Sequence, residues 1–77
     1  MIENRDVAKR VLDEMFNLSG RLDHSVLTVR DSCSEQELIG YRRAVGNVMG
    51  EMWDGILKPI LKLHPDLTPP GLSEPDA

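Results

Sequence analysis

The sequence has little cysteine, few aromatic residues and no long apolar run. Its only cysteine is Cys33, which excludes an intrachain disulfide and the zinc sites that are built mainly from thiolates. No apolar stretch approaches the roughly 18 residues that a membrane-spanning helix needs, and no signal-peptide core follows Met1. The sequence therefore predicts a protein of a reducing compartment, the cytoplasm, with no membrane as a partner.

Basic residues are also too few for a nucleic-acid-binding surface. The 77 residues include 13 acidic and 9 basic side chains, and the net charge of −4 has the wrong sign for a polyanionic partner. Apolar residues make up 40% and charged residues 29%, which is a globular composition. A chain of this length forms one small domain and buries only about 60% of its unfolded surface, so its core is small.

The apolar residues from 4 to 31 recur at the spacing of an α-helix. With Ala8 taken as heptad position a, positions a, d and e form one stripe that is wide enough to face a core, and Leu18 belongs to it. Ser19-Gly20 is a weak helix-forming pair, but the stripe keeps its phase across it and an outward glycine costs only about 1 kcal/mol. We expect one continuous helix over residues 4–31.

A second amphipathic segment runs from 35 to 64 and has a clear start. Ser34 and Glu37 fit a capping box, in which each side chain bonds the backbone amide of the other residue. Ser32 and Glu35 fit the same pattern, so the cap of this helix is either Ser34 or Ser32, two residues earlier. The apolar stripe of this helix is broad and covers about half of its circumference. Its members are Leu38, Ile39, Val45, Val48, Met49, Met52, Trp53, Ile56 and Ile60.

Two prolines shape the end of this helix. Pro59 lacks the amide that would bond the carbonyl of Gly55, so we expect a kink near 55–59. Pro65 ends the helix, because the residue before a proline is disfavoured in the helical region. The prolines beyond that point predict an extended tail over 65–77, with Leu67 able to contact the end of the helices.

Two helices of about 28 and 30 residues with a short connection predict an all-α antiparallel hairpin over residues 1–64. The apolar stripes are wider than one helix–helix contact can cover, and the uncovered patch would exceed what a monomer tolerates. Burial of each large apolar side chain contributes about 1.5–3 kcal/mol, so association is favourable. We predict a homodimer that completes a two-fold symmetric four-helix bundle, although another protein could cover the same surface. The predicted interface consists of Phe16, Leu27, Ile39, Tyr41, Arg42, Gly46, Trp53 and Ile60.

Three of these residues have a second interpretation. Tyr41 and Arg42, at the edge of the stripe, either recognise a partner or shield the core with the apolar parts of their side chains. Gly46 and Gly50 have the small-xxx-small spacing, which permits close helix approach but also occurs where a glycine is simply tolerated.

No group of residues predicts catalysis, a metal site or a cofactor. His24, Cys33 and His64 are the conventional candidates, but none has a sequence neighbour that would activate it, and the metal-ligand spacings of helical bundles are absent. We therefore expect a non-enzymatic interaction module. The alternative from a different class is a small-ligand-binding bundle, which needs a pocket between the methionine and tryptophan side chains and Arg42 or Arg43.

A series of short segments in the C-terminal half resembles a known group of proteins. The series is Tyr41-Arg42-Arg43-Ala44-Val45-Gly46, Met49-Gly50, Ile56-Leu57-Lys58-Pro59-Ile60 and His64-Pro65-Asp66-Leu67. It is similar to short uncharacterised proteobacterial helical-hairpin proteins, and the resemblance implies neither an activity nor a catalytic motif. In size, acidity and shape the chain also resembles small acidic immunity proteins that neutralise bacterial toxins. That analogy makes an immunity or adaptor role an alternative to a homodimeric module.

Overall fold

Two helical arms pack as an antiparallel hairpin in the computed structural model of the protein, which describes residues 1–71. The hairpin is a rod with dimensions of 44 × 21 × 21 Å. None of the helices in the described residues has an apolar stretch long enough to cross a membrane. The elements in chain order are α1 (Arg5–Ser32), α2 (Glu35–Met52), a π turn (Trp53–Leu57), α3 (Lys58–Leu63) and a 3-10 turn (Pro65–Leu67).

Helix α1 begins one residue later than predicted, because Asn4 is its N-cap and not its first turn. The Asn4 side chain accepts a hydrogen bond of 3.0 Å from the amide of Val7, which satisfies one of the free amides at the helix start. The helix then runs without a break through Ser19 and Gly20, where the apolar phase does not change. At its other end the Cys33 amide bonds the Val29 carbonyl.

Helix α2 starts with a complete capping box at Ser34. The amide of Glu37 donates to Ser34 Oγ at 3.2 Å, and the amide of Ser34 donates to Glu37 Oε1 at the same distance. This arrangement decides between the two starts that the sequence left open, since Ser32 is the last residue of α1. The two arms are therefore joined by Cys33 and Ser34 alone.

The disturbance predicted near Pro59 takes the form of a π turn. The amide of Lys58 donates to the carbonyl of Trp53, five residues earlier, and the backbone angles stay helical from Met52 to Lys58. Pro59 lies in the first turn of α3, where its missing amide needs no partner. The wider turn relieves the clash that the proline ring would have with a carbonyl four residues earlier. The second arm therefore stays helical up to Leu63.

The π turn also changes which residues face α1. A π turn adds one residue to a helical turn, which rotates everything that follows by about 100°. On an unbroken α-helix Leu61 would point about 160° away from Val45, whereas after the rotation the difference is about 60°. Accordingly Leu57 and Leu61 are buried, although the predicted stripe contained neither of them. Ile60, a member of the predicted stripe, points within about 60° of Val45 with or without the rotation, and it is 0% exposed.

The core lies at the end of the rod that carries the chain termini. Its buried members come from the first three turns of α1 and from the segment around α3, and partly buried side chains surround them. Only Val45 is buried in the whole of α2. The core residues are Ala8, Leu12, Leu57, Ile60 and Leu61, with Ile2, Val11, Met15, Phe16, Trp53, Ile56 and Leu67 packed against them.

The chain beyond α3 folds back onto this core. Pro65–Leu67 forms a 3-10 turn where the prolines predicted an extended chain, and Leu67 packs against the core as expected. Gly71 has a φ of +89°, a conformation that glycine adopts without strain. The remainder of the predicted tail, residues 72–77, lies outside the described residues.

Candidate interaction surface

A pair of hydroxyl groups links the two arms and shows the register between them. Ser25 Oγ donates to the carbonyl of Leu22 at 2.6 Å. This uses its only proton, so Tyr41 donates its own hydroxyl proton to Ser25 Oγ across 2.6 Å. Both residues are partly buried. Sequence reasoning missed this pair, although Ser25 and Tyr41 lie at nearly equal distances from the turn at Cys33 and Ser34.

This register identifies which apolar residues are level with each other. Leu27 follows Ser25 by two residues and Ile39 precedes Tyr41 by two, so these two side chains lie opposite each other across the hairpin. Leu18 precedes Ser25 by seven residues and Val48 follows Tyr41 by seven, so they form a second level pair. The four side chains are between 41% and 50% exposed. Each pair therefore leaves a considerable apolar area uncovered.

The two pairs lie on opposite sides of the hairpin. Seven residues return an α-helix to nearly the same side, whereas two residues turn it by about 200°. Leu18 and Val48 consequently lie with Ser25 and Tyr41, on what we call the Tyr41 face. The opposite side, which we call the Leu27 face, includes the apolar and glycine residues Leu27, Ile39, Gly20, Gly46, Phe16 and Trp53.

Five of the predicted interface residues are accordingly brought to the Leu27 face. Phe16 and Trp53 are partly buried against the core at one end of this face, and Leu27 and Ile39 are exposed at the other end. Gly46 lies between them and level with Gly20. A Cβ atom at Gly20 or Gly46 would meet nothing within 4 Å, so the hairpin itself requires neither glycine.

Arg42 adds a sixth predicted interface residue to this face, whereas Tyr41 and Ile60 lie elsewhere. Arg42 is exposed, and it lies eleven residues before Trp53, which places it on the Leu27 face as well. Tyr41 bonds within the hairpin and lies on the other face. The inclusion of Ile60 is wrong, because its side chain is 0% exposed within one chain, in a core cluster that Ile2 and Leu67 also contact.

A second polar cluster ties the chain ends together. His64 Nε2 donates to the carbonyl oxygen of Ile2 at 2.8 Å, and Arg5 Nη2 lies 2.7 Å from Asp66 Oδ2. The hydrogen bond from Arg5, together with its positive charge, lowers the pKa of the Asp66 carboxyl below its ordinary value. The arrangement is structural, because it closes the terminal end of the rod over the core.

The described residues show no reactive arrangement around the predicted nucleophile or ligand candidates. His24 and Cys33 are exposed, and no group of three or more potential metal ligands occurs within residues 1–71. A hollow of about 580 Å³ lies along α1 between Phe16 and Thr28. All of its lining comes from one helix, and Met49, Met52 and Trp53 are not part of it. It does not supply the pocket that the ligand-binding alternative needs.

Comparisons of this chain with protein-family models, curated proteins and solved structures give no match. The resemblances drawn from the sequence therefore stay expectations.

Proposed function

We propose that this chain is a non-enzymatic protein-interaction module that acts as a homodimer, with two hairpins packed through their Leu27 faces into a four-helix bundle. The observation that carries the proposal is the level pair of Leu27 and Ile39, which are 41% and 50% exposed at the end of the rod without a core. Since about half of each side chain is already covered, burial of the rest stabilises an interface by about 1 kcal/mol for each residue.

The size of the face fits a second copy of the chain. A rod face of 44 by 21 Å has an area of about 900 Å², and each partner in a stable dimer buries about 800 Å². Another hairpin of the same length covers this face from end to end. A two-fold arrangement also places the same residues in the interface twice, which is how most small homodimers form.

The Leu27 face suits this role better than the Tyr41 face. Its terminal end presents the partly exposed aromatic side chains of Phe16 and Trp53, a type that is enriched at interface centres. Its middle has glycine on both helices, so a partner helix can approach closely there. The middle of the Tyr41 face is instead occupied by the hydroxyl pair, whose hydrogen bonds are already made within the chain.

The oligomeric state tests this proposal directly. Size-exclusion chromatography with light scattering should give twice the chain mass of 8.6 kDa, and a stable monomer at micromolar concentration would overturn the proposal. A reducing cytoplasmic setting is part of the proposal, since the one cysteine is free and exposed.

A matched pair of variants tests the face. Ile39→Asp places an unpaired charge in the proposed interface and should give a monomer. Val48→Asp makes a similar change on the Tyr41 face, at a position that is 49% exposed compared with 50% for Ile39, and should leave the dimer intact. Circular dichroism should show both variants as folded helices. Loss of the dimer in Val48→Asp alone would place the interface on the other face.

A further inference from the structure

The charges on the Leu27 face point to one orientation of the second copy. Asp23 lies seven residues after Phe16, and Arg30 follows Asp23 by another seven, so both lie on this side of α1. On α2, Arg42 lies on the same side, and Glu35 precedes it by seven residues. Each helix thus presents an acidic residue and then, two turns later, a basic one.

The antiparallel hairpin brings these charges to matching levels. The Ser25–Tyr41 register puts Asp23 within one residue of the level of Arg42, and Arg30 within one residue of the level of Glu35. All four side chains are exposed. Within residues 1–71 no salt bridge involves Asp23, Glu35 or Arg42, while Arg30 contacts its neighbour Asp31 at 3.2 Å.

From this pattern we propose that the second copy packs with its turn at the same end of the bundle, so that α1 of each copy lies over α2 of the other. This orientation rests on the homodimer proposed above. A two-fold axis parallel to the helices leaves the position of each residue along the rod unchanged. It places the first arm of one copy opposite the second arm of the other. Asp23 of each copy then meets Arg42 of the other, and Arg30 meets Glu35. The same operation places Leu27 over Ile39 and Gly20 over Gly46.

A dimer with its turns at opposite ends does not bring the same charged residues into pairs. With the turns at opposite ends, α1 lies over α1 and α2 over α2, with the levels reversed. Acidic and basic residues then match only if the copies overlap through their turn ends alone. That offset leaves the aromatic side chains of Phe16 and Trp53 without cover. Since like charges in contact oppose association, the charges select the orientation more than they add to the affinity.

Distance measurements between spin labels decide the orientation. The native chain has one cysteine, Cys33 in the turn, so a nitroxide can be attached there without any substitution. A second sample carries the label at the other end of the rod, in a Glu3→Cys chain in which Cys33→Ser removes the native site. With helices about 8–10 Å apart, the proposed orientation gives distances below about 20 Å in both samples.

The other possible arrangements of the two copies give different distances between the labels. If the turns lay at opposite ends and the copies overlapped fully, the two Cys33 labels would be about 40 Å apart. An offset overlap would bring the turns closer and would separate the Glu3→Cys labels by more than the 44 Å length of the rod. A long distance in either sample therefore overturns the orientation and leaves the homodimer in place. A labelled protein without any distance between chains, and with the mass of a monomer, overturns the homodimer as well.

Charge reversal tests the proposed pairs. Asp23→Arg or Arg42→Asp alone should raise the dimer dissociation constant at least about tenfold, because like charges then meet twice in each dimer. The double variant should return it to within about threefold of the native value. Glu51→Arg changes the net charge as much as Asp23→Arg does but lies away from the Leu27 face, and it should have little effect. Single reversals that leave the constant unchanged would exclude these pairs.

Discussion

The two ends of the rod both carry apolar residues on their helices but bury them to different extents. At the terminal end, Ala8, Leu12, Ile60 and Leu61 are fully or almost fully covered. Toward the turn, Val45 is the last buried residue of α2, and the side chains beyond it are partly buried at best. Both ends are helical, so the difference lies in how the helices are covered and, in the second arm, in the rotation at the π turn.

The terminal end has a third layer that the turn end lacks. Ile2 before α1 and Leu67 after α3 pack on the core, and the contacts of Arg5 with Asp66 and of His64 with the Ile2 carbonyl hold these segments in place. Two helices in contact cover only the facing side of each other, and further chain is needed to cover the flanks. At the turn end no further chain is present within residues 1–71, and we propose that a second hairpin supplies that layer.

The largest effect should come from shortening a core residue at the terminal end. Leu61→Ala should lower the free energy of unfolding by about 2–5 kcal/mol, because Leu61 is 0% exposed and its removal leaves a cavity. The matched control is Leu63→Ala, two residues away and 47% exposed, which should cost less than about 1 kcal/mol. Urea denaturation followed by circular dichroism measures both. Equal losses would mean that the terminal core is not packed as described.

A smaller effect should come from the hydroxyl pair that links the arms in the middle of the rod. Tyr41→Phe removes the donor to Ser25 and should cost about 1.5 kcal/mol. Hydrogen exchange should then speed up in the half of α1 nearest the turn and much less around Ala8. In a double-mutant cycle with Ser25→Ala, the combined loss should be smaller than the sum of the two single losses, because both substitutions remove the Tyr41–Ser25 hydrogen bond. Additive losses would exclude this coupling.

The N-cap of α2 should contribute about as much as one hydrogen bond. Ser34→Ala removes the side chain that accepts from the Glu37 amide and should cost about 1 kcal/mol. Ser32→Ala, in the last turn of α1, is the control and should be close to neutral. The comparison is made by chemical denaturation. A larger loss in the Ser32 variant would mean that the second helix starts two residues earlier.

The smallest effect should come from the ion pair at the chain ends, and it should depend on pH. Because Arg5 lowers the pKa of Asp66, the charged carboxylate favours the folded state at neutral pH. This contribution is lost as the pH falls through the lowered pKa. The difference in unfolding free energy between the native chain and Asp66→Asn should therefore shrink from pH 6 to about pH 2. Arg5→Gln should show the same profile, and a difference that stays constant with pH would exclude the pairing.

Much of this architecture could be predicted from local sequence. The cap at Ser34 and the phase of the apolar stripe across Gly20 indicated where two long helices begin and continue, because caps and periodicity act over a few residues. The exposed positions of Leu27 and Ile39 could be predicted for the same reason, since their distance from the centre of the stripe is a matter of helical spacing.

Other features needed the folded chain. Leu18 and Val48 were expected in the core stripe but are exposed, because the hairpin is only two helices thick where they lie. The Ser25–Tyr41 pair depends on how the arms align, which no local pattern specifies. Leu61 was not expected in the stripe and is buried, because one added residue in the π turn rotated the rest of the arm. Ile60 was expected at the interface and is buried, in a core on which Ile2 and Leu67 also pack.

The sequence by itself determined two capped helices, the short turn between them and the presence of more apolar surface than one helix contact can cover. Only the tertiary structure decided which of those residues are covered. Helical periodicity is a local property that the chain carries with it, whereas coverage depends on a register, a rotation at Pro59 and a third layer. The register and the third layer come from packing between parts of the chain that are far apart in sequence, and the rotation matters only because it turns side chains toward the other arm.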